Sequence, residues 1–232
     1  MQLDTLLKQL VWLRRGWLIA AVITGVLYAL LIPFYLYTAW VQYVVVATGA
    51  AAYTGVNGGL VRLMASWAGL IDASIIVFQV VGLAFWFGWL WFSARFAVVL
   101  SPQGKLRFGA ASVTIFWFIP VLNLLFVPLA LMDIARTTMH DPQQETHEAA
   151  ATPDMPWLAW IIGGLDLVSD GLFFILAHRP PDAFDNPVSG QTLMHLAAAS
   201  GVVTLLLLLA MDAYIRRLTE AQETRLARIH LH

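Results

Sequence analysis

Asp166 and Asp170 lie four residues apart in an otherwise apolar run, so on a helix they share one face. Asp166 falls about 14 Å beyond Trp157 at 1.5 Å per residue, deep inside a membrane if the run crosses one. A carboxyl at that depth costs about 2.5–3.5 kcal/mol, so it implies either a proton or cation path or a hydrogen bond that ties helices together. Gln79 and Asn123 are the other polar side chains placed to join such an interior cluster with Asp166 and Asp170, and both can bond backbone or neighbouring side chains. Both carboxyls are expected to point into the protein, and Asn123 to be buried there. Asp72 and Asp212 read as charges near span ends.

Other candidates for chemistry are weak. His140 and His147 stand near Glu145 and Glu148, but their spacing matches no helix face and no metal motif. His195 opens an apolar run and reads as an interface histidine. There are no cysteines, which removes disulfides, thiolate ligands and thiol nucleophiles. No nucleophile and base stand at a telling spacing. The expectation is therefore no catalytic residue, no cofactor and no metal.

Composition defines the elements that hold these residues. Hydrophobic residues make up 60% of the 232 and charged residues 12%, against about a quarter charged in a soluble domain. The charges cluster between long apolar runs, and the net charge of −1 gives no reason to expect nucleic acid as a partner. This is the pattern of an all-α integral membrane protein whose first partner is the lipid bilayer.

Residues 1–15 read as an amphipathic helix lying on the membrane surface, with Leu3, Leu6, Leu7, Leu10, Val11 and Leu13 apolar. One membrane domain follows over 16–214. Its apolar segments are about 16–37, 69–94, 110–131, 157–177 and 193–214. The first is longer than a signal core and reads as a retained span. Val41–Ala52 is short and reads as an interfacial or packed helix, Ser101–Gly104 is a turn, and 132–156 reads as a polar loop. Residues 215–232 form a charged, helical tail. Ala21-x3-Gly25 and Ala197-x3-Gly201 permit close helix contact.

Segment 110–131 is the least ordinary, because Pro120 and Pro128 each remove a helix hydrogen bond. If all five segments cross, Lys and Arg divide seven to six between the two sides. If 110–131 instead re-enters the side it came from, Lys8, Arg14, Arg15, Arg95, Lys105, Arg107, Arg136, Arg216, Arg217, Arg225 and Arg228 share the cytoplasmic side. Only Arg62 and Arg179 then lie outside. Four transmembrane helices plus one proline-broken, re-entrant segment, with both termini cytoplasmic, is the expectation, and five full spans the alternative. Trp12, Trp17, Trp89, Trp91, Trp117, Trp157 and Trp160 would then lie near the inner interface, and Trp40 and Trp67 near the outer one.

Three stretches resemble the bacterial membrane family called domain of unknown function 4328. They are Trp91-Phe-Ser-Ala-Arg95, then Trp117-Phe-Ile-Pro120-Val-Leu-Asn123-Leu with Pro128 and Arg136, and Ile215-Arg216-Arg217-Leu-Thr-Glu-Ala-Gln-Glu223. Where the family often has His before the arginine-containing turn, this chain has Ser93. The resemblance implies a multi-pass protein of the bacterial cytoplasmic membrane and carries no activity to transfer. The functional expectation is a non-enzymatic partner-binding, scaffold or regulatory protein, its partner another protein or a second copy. The alternatives are a small channel or transporter, and less so an intramembrane enzyme.

Overall fold

The structure, a computed structural model, describes residues 2–48, 56–100, 106–118, 120–139, 155–180 and 187–230. The fold is all-α, with no strand among the described residues. In chain order the helices are α1 (Gln2–Thr48), α2 (Val56–Leu100), α3 (Ala110–Ile115), α4 (Pro120–Met139), α5 (Met155–Ala177) and α6 (Pro187–His230). A 3-10 turn, Phe116–Phe118, separates α3 from α4. Four helices, α1, α2, α5 and α6, are long and apolar enough to cross a membrane. The chain is an integral membrane protein.

The long helices redraw several sequence boundaries. Residues 1–15 were set apart from the first span, yet Gln2–Thr48 is one helix of 47 residues, more than twice the roughly 20 that a span needs. The reason is a single buried stripe at spacings of three and four: Leu6, Leu10, Leu13, Trp17, Ala20 and Thr24. The apolar face of the first turns is thus covered by protein instead of lying on lipid. The same helix absorbs Val41–Thr48. In α6 the stripe runs through Tyr214, Leu218 and Gln222 to Leu226, so the charged tail is a packed continuation of the last span.

The break at the prolines is also sharper than the sequence suggests. The helix fails at Phe116–Phe118, ahead of Pro120, which occupies the first position of α4. A proline is tolerated there because its missing N–H would have no intrahelical partner. Pro128 lies inside α4 without ending it. The expected polar loop from 132 is corrected: 132–139 continue α4, and Asp133, Ile134, Ala135, Thr137 and Thr138 are buried. His140, Asp141, Glu145, His147, Glu148 and Asp154 lie outside the described residues, as do Ser101–Lys105 and the loop 181–186.

The chain divides into two compact units. The first comprises 1–20, 81–167 and 207–232, and the second 21–80 and 168–206. In the second unit α1 and α2 run antiparallel in a seven-residue register. Tyr28 meets Gln79, and Tyr35 meets Asp72. Between these rungs Leu31, Phe34 and Ile75 form the apolar core. The paired small residues bring α1 close to α6: a Cβ on Gly201 would stand 2.9 Å from Ile32 Cγ1, and one on Gly25 3.6 Å from Leu205.

Within the first unit, segment 106–139 doubles back on its own start. Asp133 Oδ2 accepts the backbone N–H groups of Arg107 at 2.6 Å and Phe108 at 3.4 Å. Phe108, Phe116 and Phe126 pack mutually, with centroids 5.3, 5.8 and 5.0 Å apart. The ring before α3, the ring of the turn and the ring of α4 therefore close one hairpin.

Candidate functional site

The first unit gathers the densest set of buried aromatic and polar side chains. Trp86 is fully buried at its centre. Its ring lies 5.6 Å from Trp17 of α1, 5.8 Å from Trp89, 5.6 Å from Trp117 of the turn and 6.5 Å from Tyr214 of α6. Trp117 and Tyr214 approach edge-on, the arrangement that the ring quadrupole favours. The indole N–H groups of Trp17, Trp86, Trp89 and Trp117 have no hydrogen-bond partner among the described residues, so ring packing holds this cluster. Trp17 and Trp89 are buried within the protein. Trp12, Trp91, Trp157 and Trp160 are exposed, as a belt requires.

Polar contacts bind α6 to the rest of this unit. Tyr214 donates its hydroxyl proton to the Leu131 carbonyl of α4 at 2.6 Å. Arg225 donates to the carbonyls of Thr137 and Thr138, in the last turn of α4. A cation there satisfies carbonyls that no further helical N–H can reach, and it opposes the negative helix end. Gln222 Nε2 donates to Ser93 Oγ of α2 at 2.8 Å, with both side chains fully buried.

Ser93→Ala should therefore cost about 1–3 kcal/mol, because it strands the whole Gln222 amide in the core. Thermal unfolding in detergent measures this. Adding Gln222→Leu to Ser93→Ala should recover part of the loss. A Ser93→Ala protein as stable as the wild type would mean that the hydrogen bond contributes nothing.

The family-like motif residues all fall in this unit, in two roles. Trp117 and Pro128 are packed inward. Trp91, Arg95, Arg216 and Arg217 are on exposed faces. Arg216 lies 3.6 Å from Asp212, an i,i+4 surface pair of small energetic weight. Pro120 opens α4, and Asn123 lies in its first turn. The side chain of Asn123 lies outside what the structure describes, so its expected burial is left without a structural account.

The candidate cluster divides between the units, with Asp166 and Asn123 in the first and Gln79 and Asp170 in the second. Gln79 belongs to the second unit and donates to Tyr28 Oη at 3.1 Å. Thr204 of α6, in the same unit, donates its hydroxyl to the Ser200 carbonyl at 2.9 Å. Asp72, read from sequence as an end-of-span charge, accepts from Tyr35 at 2.9 Å.

Asp166 is half-buried in the first unit and engaged in an interaction of its own. Asp170 is corrected: it is exposed and does not point inward. The cause lies in α5, whose buried side chains are Met155, Ala159, Ile162 and Gly163, all in its first half. In its second half Phe173 is 70% and Phe174 61% exposed.

Sequence reading missed Trp86, Tyr214, Gln222, Asp133 and Arg225 as central residues. Tyr28 and Thr204 were missed too. The available signal was the four-residue spacing of Tyr214, Leu218 and Gln222, which extends the α6 stripe past the apolar run.

A helical membrane protein with an aromatic core bound to a doubled-back segment is the class that this geometry defines. The chain belongs to the family described as Domain of unknown function (DUF4328), which matches residues 52–220. No curated protein and no solved structure matches it. The matched range covers α2 through most of α6, and so includes the first two motif stretches and the third as far as Glu220.

Proposed function

We propose that this protein is a non-enzymatic, partner-binding scaffold or regulator of the bacterial cytoplasmic membrane. It crosses four times, with both termini cytoplasmic, and segment 110–131 re-enters and leaves on the cytoplasmic side. The topology is supported by the hydrogen bonds from the backbone of Arg107 and Phe108 to Asp133, since a crossing of the ~30 Å hydrocarbon core would part those residues. It is supported further because residues 81–167 all belong to one unit, and by the eleven-to-two division of Lys and Arg.

One observation carries the partner-binding reading. The face of α5 that is buried at Met155, Ala159 and Ile162 continues along the helix through Asp166 to Asp170 and Phe173, and at those last two it is exposed. Lipid tails offer Asp170 no hydrogen-bond donor, whereas a partner helix does. A second reading, a small cation or proton transporter, is favoured by the two carboxyls of α5. Against it stands the bonding of Gln79 to Tyr28 and of Thr204 to the Ser200 carbonyl, which uses polar groups that a path would need.

A photo-reactive amino acid in place of Phe173 tests the leading reading. Illumination in native membranes should give a discrete protein adduct. Adducts with lipid alone, together with Asp170-dependent cation flux in proteoliposomes, would replace it with the transporter.

A further inference from the structure

Among the carboxyl and imidazole side chains in the spans of the second unit, two are exposed and without a hydrogen bond or ion pair among the described residues. They are Asp170 of α5 and His195 of α6. Asp72, the other exposed carboxyl of those spans, is taken by Tyr35. Asp170 stands seven residues before Ala177, the last residue of α5. His195 stands eight residues after Pro187, the first residue of α6. At 1.5 Å per residue the two groups stand about 10 and about 12 Å along their helices from those ends. In the four-crossing topology proposed above both of these helix ends lie on the outer side, which puts the two groups at similar depth.

They are complementary. A carboxylate accepts and an imidazolium donates, and each is expensive in hydrocarbon alone. Within one chain they do not pair. The surface around Asp170 is apolar, with Leu167, Phe173 and Phe174 exposed, and that around His195 carries exposed Val188 and Val202. A two-fold axis normal to the membrane preserves depth, so it brings each Asp170 to the level of the other copy's His195.

We propose that the partner of α5 is a second copy of this chain, in an isologous dimer where Asp170 of each protomer pairs with His195 of the other. This rests on the partner-binding reading and names its partner. The dimer forms two identical Asp–His pairs, flanked by the apolar faces of α5 and α6. It leaves the α1–α2 rungs at Tyr28–Gln79 and Tyr35–Asp72 untouched.

The chain has no cysteine, so introduced thiols report without background. Asp170→Cys and His195→Cys, carried on separately tagged full-length copies and co-expressed, should cross-link on mild oxidation in the membrane. The product is a dimer of twice 25.7 kDa that carries both tags. Each variant expressed alone should give at least fivefold less dimer. In parallel, native mass measurement of the wild type from lipid nanodiscs should show the dimer, and Asp170→Leu should shift it towards monomer by about tenfold in dissociation constant. A monomeric wild type, or cross-linking of Asp170→Cys mainly to itself, overturns the proposed pairing. Absence of the mixed dimer alongside a Phe173 adduct to a different protein also overturns it, while leaving the partner-binding reading in place. Lipid adducts alone remove both.

Discussion

Trp86→Ala should cost about 3–5 kcal/mol, enough to unfold the first unit in mild detergent. The side chain is fully buried and contacts rings from α1, α2, the 3-10 turn and α6. Its removal leaves a cavity that four separately anchored elements cannot close together. In a bilayer the loss is one of packing and ring contacts, because lipid tails are as apolar as the core itself. Each aromatic pair adds about 0.5–1.5 kcal/mol beyond burial. Trp91→Ala, on the exposed face of the same helix, should leave the melting temperature within a few degrees of wild type. Size-exclusion profile and thermal unfolding of both variants are the readouts. Equal stability of the two would mean that the aromatic cluster does not hold this unit.

The contrast between Trp86 and Trp91 shows where sequence reading ran out. The chain has ten tryptophans, and composition places them all in or near a membrane. Burial depends on which face of α2 meets α1 and α6, and that register follows from long-range contacts that no local pattern encodes. The membrane class and the apolar runs were legible, because hydropathy is a property of a segment. The boundary at residue 15 was not, because Lys8 and Arg15 look like an interfacial helix. Both are exposed, whereas Leu6, Leu10, Leu13 and Trp17 carry one stripe straight through. The same holds at the far end, where Gln222 and Arg225 looked like tail residues.

The candidate site was legible only in part. Asp170 stood out because a carboxyl in an apolar run is costly wherever it points. Its direction depended on where α5 loses its cover, after Gly163, which the run itself does not reveal. Tyr28 gave no signal, since tyrosine is common in membrane helices, and its role came only from Gln79 lying one register step from the Tyr35–Asp72 pair. The doubled-back segment was readable through its prolines. The residue that closes it, Asp133, was hidden in what resembled a polar loop.

Topology has the other all-or-none outcome. The account rests on a chain that leaves α2 and enters α5 on one side of the membrane, with Asp133 holding the start of the segment to its end. Four crossings then put both termini in the cytoplasm and leave Arg62 and Arg179 as the external cations. The most direct measurement is a pair of compartment-specific reporters, one active only inside the cell and one only outside. Each is fused after His232 and, separately, within 182–190. The account predicts the internal reporter active after His232 and the external reporter active within 182–190. An external reporter active after His232 would contradict it and restore five full crossings.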